Sequence, residues 1–255
     1  MKLKRRTFLK IAAASCVGAA AVGGGIFMVG SLDPLKRLKA GFADAVIKRY
    51  GKASGEPLLA KVFQEFQALS ASLPDLGPTE ENRWATNMPP AALGLAAYRV
   101  LVPKYANLEE VGQILYETAE RAMGGLASIV MRVMYSESSA ADKLRLLATR
   151  SQHRQYPDDW VMTFVDGKGE EFHYGVDVTE CAIQKYLTAH GAPELTRYLC
   201  LTDQVISDVA AKGLVRTKTL AEGCEFCDFR FKQGRSTCLY PLRDGWPPKF
   251  AICGG

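Results

Sequence analysis

One stretch, Trp160 to Phe231, constrains the fold more than the rest of the chain, because the apolar period changes there from helical spacing to strict alternation. Trp160 to Val165 is strand-like, and Asp166-Gly167 is a hairpin-turn dipeptide. On the return strand Phe172, Tyr174, Val176 and Val178 share one face, while Glu171, His173 and Asp177 share the other. Thr179 then reads as a helix N-cap, which places Cys181 in the first turn of a helix ending near His190-Gly191. Pro193 opens a second helix from its N1 position, with Leu195, Leu199, Thr202, Ile206 and Val209 as the buried stripe and Gly213 as the stop. Leu214 to Leu220 and Phe226 to Phe231 predict two more strands around Ala221-Glu222-Gly223.

Upstream the pattern is helical. Asp33 to about Leu73 carries Leu35, Leu38, Phe42, Val46, Leu58, Leu59, Val62, Phe63, Phe66 and Leu69 at helix spacing, with a break near residues 51–55. Residues 74–90 hold five Pro and Gly positions and read as a loop, and 91–102 as a short helix closed by Pro103. Asn107 caps the next helix, with Glu109 and Glu110 in its first turn, running through Met123 to a bend at Gly124-Gly125 before Ile129, Met131 and Met134. Residues 140–152 make a last basic helix. The expected fold is α+β: N-terminal helices packed on a small antiparallel sheet, with a helix pair inserted between two hairpins. Residues 31–152 form its helical part, 153–232 the α+β part, and 233–255 an irregular tail.

The first thirty residues read as an address. Arg5-Arg6, a spacer, Phe8-Leu9 and Lys10 match a twin-arginine signal, and an apolar run rich in Ala and Gly follows to Gly30. Its length is about what a membrane span needs, so it serves either as a cleaved signal, with a small-residue site at Ala19-Ala20-Ala21, or as an anchor. The expected location is beyond the bacterial inner membrane, reached through the twin-arginine export machinery. The charges agree with this division. The chain has 32 Lys+Arg and 27 Asp+Glu, and five of the bases (Lys2, Lys4, Arg5, Arg6, Lys10) precede the apolar run. The remainder is neutral, which speaks against a nucleic-acid partner.

Thiols and carboxylates sit at the junctions of the short elements. A thiol in the first turn of a helix feels the positive end of the dipole, which lowers its pKa and makes Cys181 a nucleophile or a metal ligand; otherwise it is a small buried hydrophobe. Cys200 and Asp203, three apart on one helix, are neighbours able to hold a water, a proton or a metal, unless Cys200 is core and Asp203 solvated. Cys227 shares a strand face with Phe229 and Phe231, which suits a core role, while Asp228 and Arg230 face the other way. Arg216 and Lys218 share a face and suit a carboxylate, unless they are simply solvated as most strand Lys and Arg are. Cys224 and Cys227 form a C-x-x-C, but no second pair follows and the three histidines lack ligand spacing. No cofactor is expected; the set with metal-ligand chemistry is Cys181, Cys200, Asp203 and Cys227.

Taken together, Asp177-Val178-Thr179-Glu180-Cys181, Leu199-Cys200-Leu201-Thr202-Asp203, Arg216 to Gly223 and Cys227-Asp228-Phe229-Arg230-Phe231 resemble the L-2-amino-thiazoline-4-carboxylic acid hydrolase family. The element order also resembles the vinyl-reductase-type small-molecule-binding fold. The family resemblance implies a hydrolase acting on carbon–nitrogen bonds of a cyclic amidine, opening a carboxylate-bearing isothiourea ring to a carbamoyl-cysteine. Mapped onto this chain it makes Cys181 the nucleophile and Asp203 the acid/base, with Arg216 as substrate clamp and Cys200, Thr219 and Cys227 shaping the pocket. The rival reading is an exported protein that binds a small molecule or a metal without turnover. Beyond this region Cys238 and Cys253 lie in a Pro- and Gly-rich tail, and an oxidising compartment permits a disulfide between them.

Overall fold

The computed structural model describes residues 33–125, 128 and 137–239. The signal-like segment, the Met-containing stretch around residue 131 and Cys253 lie outside the described residues. Helix α1 (Pro34–Ser70) starts on Asp33, whose side chain accepts from the N–H groups of Leu35 and Lys36, and is interrupted at Gly51 (φ 73°, ψ 163°) within the expected break. A conformation at that φ is open only to glycine at no steric cost. The loop after α1 tightens into a 3-10 turn (Arg83–Asn87) before α2 (Met88–Leu101). Helix α3 (Leu108–Met123) begins in a capping box, Asn107 and Glu110 each accepting from the other's backbone N–H, and ends at Gly124. Helix α4 (Glu137–Ser151) leads into the sheet.

The sheet is built from β1 (Val161–Asp166), β2 (Tyr174–Glu180), β3 (Leu214–Arg216), β4 (Cys227–Phe231) and β5 (Cys238–Leu239), in the order β1-β2-β4-β3-β5. Helices α5 (Ala182–Ala189) and α6 (Thr196–Val209) lie between β2 and β3 in the chain, as expected of an inserted helix pair. The class is α+β. Three details differ from expectation. β5 runs parallel to β3, so the sheet is mixed and residues 233–255 are not wholly irregular. The β1–β2 pairing ends at Asp166↔Tyr174, so residues 167–173 form a longer loop in place of a two-residue turn. Residues 217–220 leave the sheet, and β3 is only three residues long.

One core joins the helices to the sheet, from Phe42 and Val62 through Leu93 and Ile114 to Met162, Val176 and Leu239. α2 is its centre and is buried almost all round, with Ala91, Ala92, Ala96 and Ala97 letting α1, α3 and α5 approach closely. α6 packs between α3 and the sheet side, so its buried residues (Thr196, Leu199, Leu201, Gln204, Val205, Ser207) do not form the single stripe expected, and Thr202, Ile206 and Val209 are only half-buried. At the α3–α6 contact a Cβ on Gly112 would come 2.1 Å from the Tyr198 ring, which fixes glycine there. Buried Asn82 donates to the Leu76 carbonyl and to Asp159 Oδ1 (both 2.9 Å), and the same oxygen accepts from the Trp160 N–H at 2.8 Å. This network fastens the loop before α2 to the start of β1.

Candidate active site

The six residues expected to carry chemistry converge. Cys181 stands where β2 gives way to α5; Cys200 and Asp203 come from α6, Arg216 from the end of β3, Thr219 from the following turn, and Cys227 from β4. Thr219 links two of the thiols. Its hydroxyl donates to Cys200 Sγ (3.9 Å), accepts from Cys227 Sγ (3.6 Å), and also caps the short 3-10 turn by accepting from Ala221 N–H (3.2 Å). Cys227 Sγ in turn accepts the Leu220 N–H at 3.2 Å. The three thiols lie close enough for each to affect the ionisation of another. The outlying Cys224 is a free thiol, as is Cys227, so the C-x-x-C is not a disulfide.

Asp203 and Arg216 form one unit. The guanidinium Nη1 donates to Asp203 Oδ2 and its Nη2 to the Cys200 carbonyl at 3.0 Å, while its carbon lies 5.2 Å from the Phe229 ring centroid. The Arg216 side chain is 5% exposed and that of Asp203 32%, so the carboxylate is the outward end of the pair. Arg216 was the expected substrate clamp; its fork is instead engaged inside the protein. Enclosure pushes the Asp203 carboxyl above its ordinary range, with Arg216 opposing. Burial alone would lower Arg216, but Asp203 beside it holds the proton and the net direction is up. Lys218, the expected partner of Arg216 in gripping a carboxylate, lies beyond β3 and exposed, its N–H pinned by Asp228 Oδ1 at 2.5 Å.

The ionisation of Cys181 runs opposite to expectation. Strand β2 continues to Glu180, Thr179 sends its hydroxyl across the hairpin to the Val161 carbonyl (3.2 Å), and Cys181 itself occupies the N-cap. Burial pushes its thiol up to about 11. The N–H groups of Gln184 and Ile183 and the Trp160 indole face the sulfur and work against that rise without cancelling it. Burial also raises Cys200 and Cys227. All three are thiols, not thiolates, at neutral pH. Among the described residues no three His, Cys, Asp or Glu side chains are arranged to hold a metal ion, and Asp203, the oxygen donor of the expected set, is bound to Arg216.

Four participants were not foreseen. Trp160 stands against Cys181 and meets Trp84 edge-on at 5.6 Å (88°). Trp84 also packs on Phe229 at 6.1 Å, and Phe229 on Arg216, so an aromatic wall runs along one side of the site. Half-buried Lys212 lies within electrostatic reach of Asp203. Trp160 and Phe229 had a signal in the sequence, Trp160 as a large aromatic opening the strand and Phe229 as a neighbour of Cys227 on one strand face.

The arrangement can move a proton at an outward carboxylate and present a thiol to a small molecule held against aromatic rings. Comparison with known proteins gives this chemistry a family. The L-2-amino-thiazoline-4-carboxylic acid hydrolase profile matches residues 93–231, which contain all six site residues. The chain belongs to this family. No curated protein and no solved structure matches it. A surface cleft of about 360 Å³ lined by Lys48, Glu117, Glu120 and Arg121 shares no residue with the thiol cluster.

Proposed function

We propose that this hydrolase-family chain opens the ring of L-2-amino-thiazoline-4-carboxylate or a closely related cyclic amidine. The observation that carries the proposal is the convergence of Cys181, Cys200, Asp203, Arg216, Thr219 and Cys227 at one place inside the family-matched span. In the reaction a nucleophile attacks the ring carbon between nitrogen and sulfur, one ring bond at that carbon breaks, and the proton lost by the nucleophile ends on the departing ring atom. Where the nucleophile is the Cys181 sulfur, water then attacks the same carbon and displaces that sulfur, which takes back a proton, so the net change is addition of one water to give a carbamoyl-cysteine.

Asp203 handles the proton. It faces outward, and enclosure raises its pKa toward the range useful near neutral pH. As a carboxylate beside a protonated amidine it makes the ring carbon more electrophilic. Arg216 orients Asp203 and limits the rise. Cys181 as nucleophile must lose its proton during attack, because a thiol near 11 is almost wholly protonated at pH 7. A cationic amidine arriving beside the sulfur lowers that barrier, and the N–H groups at the start of α5 face the charge that develops. Cys200, Thr219 and Cys227 complete the pocket wall.

The test is an assay of L-2-amino-thiazoline-4-carboxylate with wild type, Cys181→Ser and Asp203→Asn. Abolished ring opening in Cys181→Ser, with an unmoved melting temperature, is expected of a nucleophile; full activity in that variant assigns the attack to water. Asp203→Asn is expected to cut the rate by roughly 10²–10⁴-fold. The raised thiols favour one second reading, a non-catalytic small-molecule carrier, and failure of the wild type to turn over any cyclic amidine would select it.

Export by the twin-arginine route belongs to the proposal, resting on Arg5, Arg6, Phe8 and Leu9. Among the described residues no helix is long and apolar enough to cross a membrane, so a membrane anchor would rest on residues 11–30. Changing Arg5 and Arg6 to Lys should retain the protein in the cytoplasm, and unaltered export would show the motif to be accidental.

A further inference from the structure

Strand β4 hands two consecutive residues to opposite faces of the sheet. Cys227 is buried among the thiols, and half-buried Asp228 points the other way. The ring-opening scheme leaves Asp228 without a part, yet its carboxylate accepts three hydrogen bonds. Oδ1 accepts from the N–H groups of Thr217 (2.8 Å) and Lys218 (2.5 Å), and Oδ2 accepts from the Thr217 hydroxyl (2.6 Å). The Asp228 N–H donates back to the Lys218 carbonyl at 3.4 Å. These bonds begin where the β3–β4 ladder stops. Leu214 pairs with Phe231 and Val215 with Arg230, β3 ends at Arg216, and Thr217 and Lys218 are exposed. Two backbone N–H groups that would otherwise turn to water are thus held by one ionised side chain, through bonds of the stronger, charge-assisted kind.

The held segment has a site residue at each end. Arg216, before it, binds Asp203 and the Cys200 carbonyl. Thr219, after it, is extended at φ −146° and ψ 140° and sets its hydroxyl between Cys200 Sγ and Cys227 Sγ. Only Thr217 and Lys218 separate the two, so a fixed segment fixes both ends. The strand register is an independent sign. Asp228 stands directly opposite Asp177 of β2, and like charges in that position are destabilising. Arg230 pairs with Asp177 at 2.7 Å, which leaves the Asp228 carboxylate to be offset by the 217–218 segment. We propose that Asp228 is a positioning residue: by fixing residues 217 and 218 it holds the Arg216 fork on Asp203 and the Thr219 hydroxyl between the thiols. Its effect on turnover rests on the ring-opening reading above; its effect on the thiols does not.

The test compares full-length wild type, D228A, D228N and T217V in two assays. One is steady-state opening of L-2-amino-thiazoline-4-carboxylate; the other is iodoacetamide labelling of Cys200 and Cys227 in the folded protein, read by peptide mapping. D228A is expected to lower kcat by roughly 10–100-fold with KM within about twofold, as small misplacements around a reacting centre do. It should also label the two thiols about tenfold faster, through local opening. D228N keeps an oxygen for the two N–H groups and should retain most of the rate and the protection. T217V removes only the hydroxyl bond and should show a smaller loss in the same direction; it decides the matter where D228A does not fold. A folded D228A, or T217V in its place, that matches wild type in both assays overturns the proposal. A loss confined to KM also overturns it, as does a D228N as impaired as D228A, which would make charge itself the requirement. A wild type that opens no cyclic amidine removes the hydrolase reading and leaves the labelling to decide. Protection lost in D228A and kept in D228N then sustains the positioning, and equal labelling of all four proteins overturns it.

Discussion

Replacing Arg216 with methionine separates the two halves of the central ion pair, and the structure sets the cost. The guanidinium has three interactions: Asp203, the Cys200 carbonyl at 3.0 Å and the Phe229 ring at 5.2 Å. Methionine retains most of the stem volume and the apolar contact with Phe229. Removing one partner of a fully buried pair costs about 3–5 kcal/mol. Asp203 keeps 32% of its side-chain surface, so water replaces part of what is lost and the pair contribution falls to roughly 2–3 kcal/mol. The orphaned Cys200 carbonyl adds about 1 kcal/mol. The expected destabilisation is therefore roughly 3–4 kcal/mol, a fall in melting temperature on the order of 10 °C for a domain of this size. Urea unfolding at pH 7 measures it directly. In R216M/D203L both charges are gone, and most of the loss should return, because an apolar pair of similar volume replaces a buried ion pair at little cost. A loss below about 1 kcal/mol in R216M, or a double variant less stable than R216M, would refute the account of Arg216 as the group that holds a buried Asp203.

Three further outcomes follow from single observations. Burial holds the Cys181 proton to about 11 against an ordinary 9.0, so its contribution to stability is intact below about pH 9 and lost as pH rises through about 11. Wild type should lose roughly 2–3 kcal/mol relative to Cys181→Ala across that window by urea unfolding, and iodoacetamide labelling of Cys181 complete near neutral pH would contradict the buried thiol. Ala211→Gly relieves a left-handed alanine and is expected to stabilise by roughly 0.5–1 kcal/mol, net of the added freedom of the unfolded chain; a loss of stability would mean the turn carries no strain. Cys238 is disulfide-bonded, and peptide mapping without reduction should recover it linked to Cys253, a closure contributing roughly 3 kcal/mol; both found as free thiols in exported protein would end that pairing.

Features decided by near neighbours were legible in the sequence. Asn107 and Glu110 are three apart and satisfy each other, Gly51 breaks α1 by its own conformational range, and the alternation from Tyr174 to Val178 marks β2. Features decided by distant partners were not. Thr179 has the residue type of an N-cap, yet β1 lies beside it and takes its hydroxyl. α6 has neighbours on more than one side, so no single stripe describes it. The six residues that the family resemblance singled out come together in the fold, and the thiols and carboxylates among them were already conspicuous at element junctions. The electrostatics of the site were not legible. Burial, a property of the whole fold, overrides the local helix-terminus effect at Cys181, and Arg216 is claimed by Asp203 only once α6 and β3 meet. Lys212 and Trp84 had no local mark at all.

The sheet order has a consequence for how the site comes into being. β4 lies between β2 and β3, pairing Val178 with Cys227 on one side and Val215 with Arg230 on the other. It is thus the latest-made of these three strands and the one that joins the other two. Pairings between segments so far apart in the chain form slowly, because a long loop must close before any contact rewards it. During synthesis from the N-terminus, a chain that has emerged as far as Gly223 contains every site residue except Cys227 and Phe229, yet β2 and β3 have no strand between them to bring Cys181 toward Arg216. The candidate site is therefore completed only with the last few residues of β4, and a ribosome-bound fragment ending before Cys227 should have its helices and no assembled site.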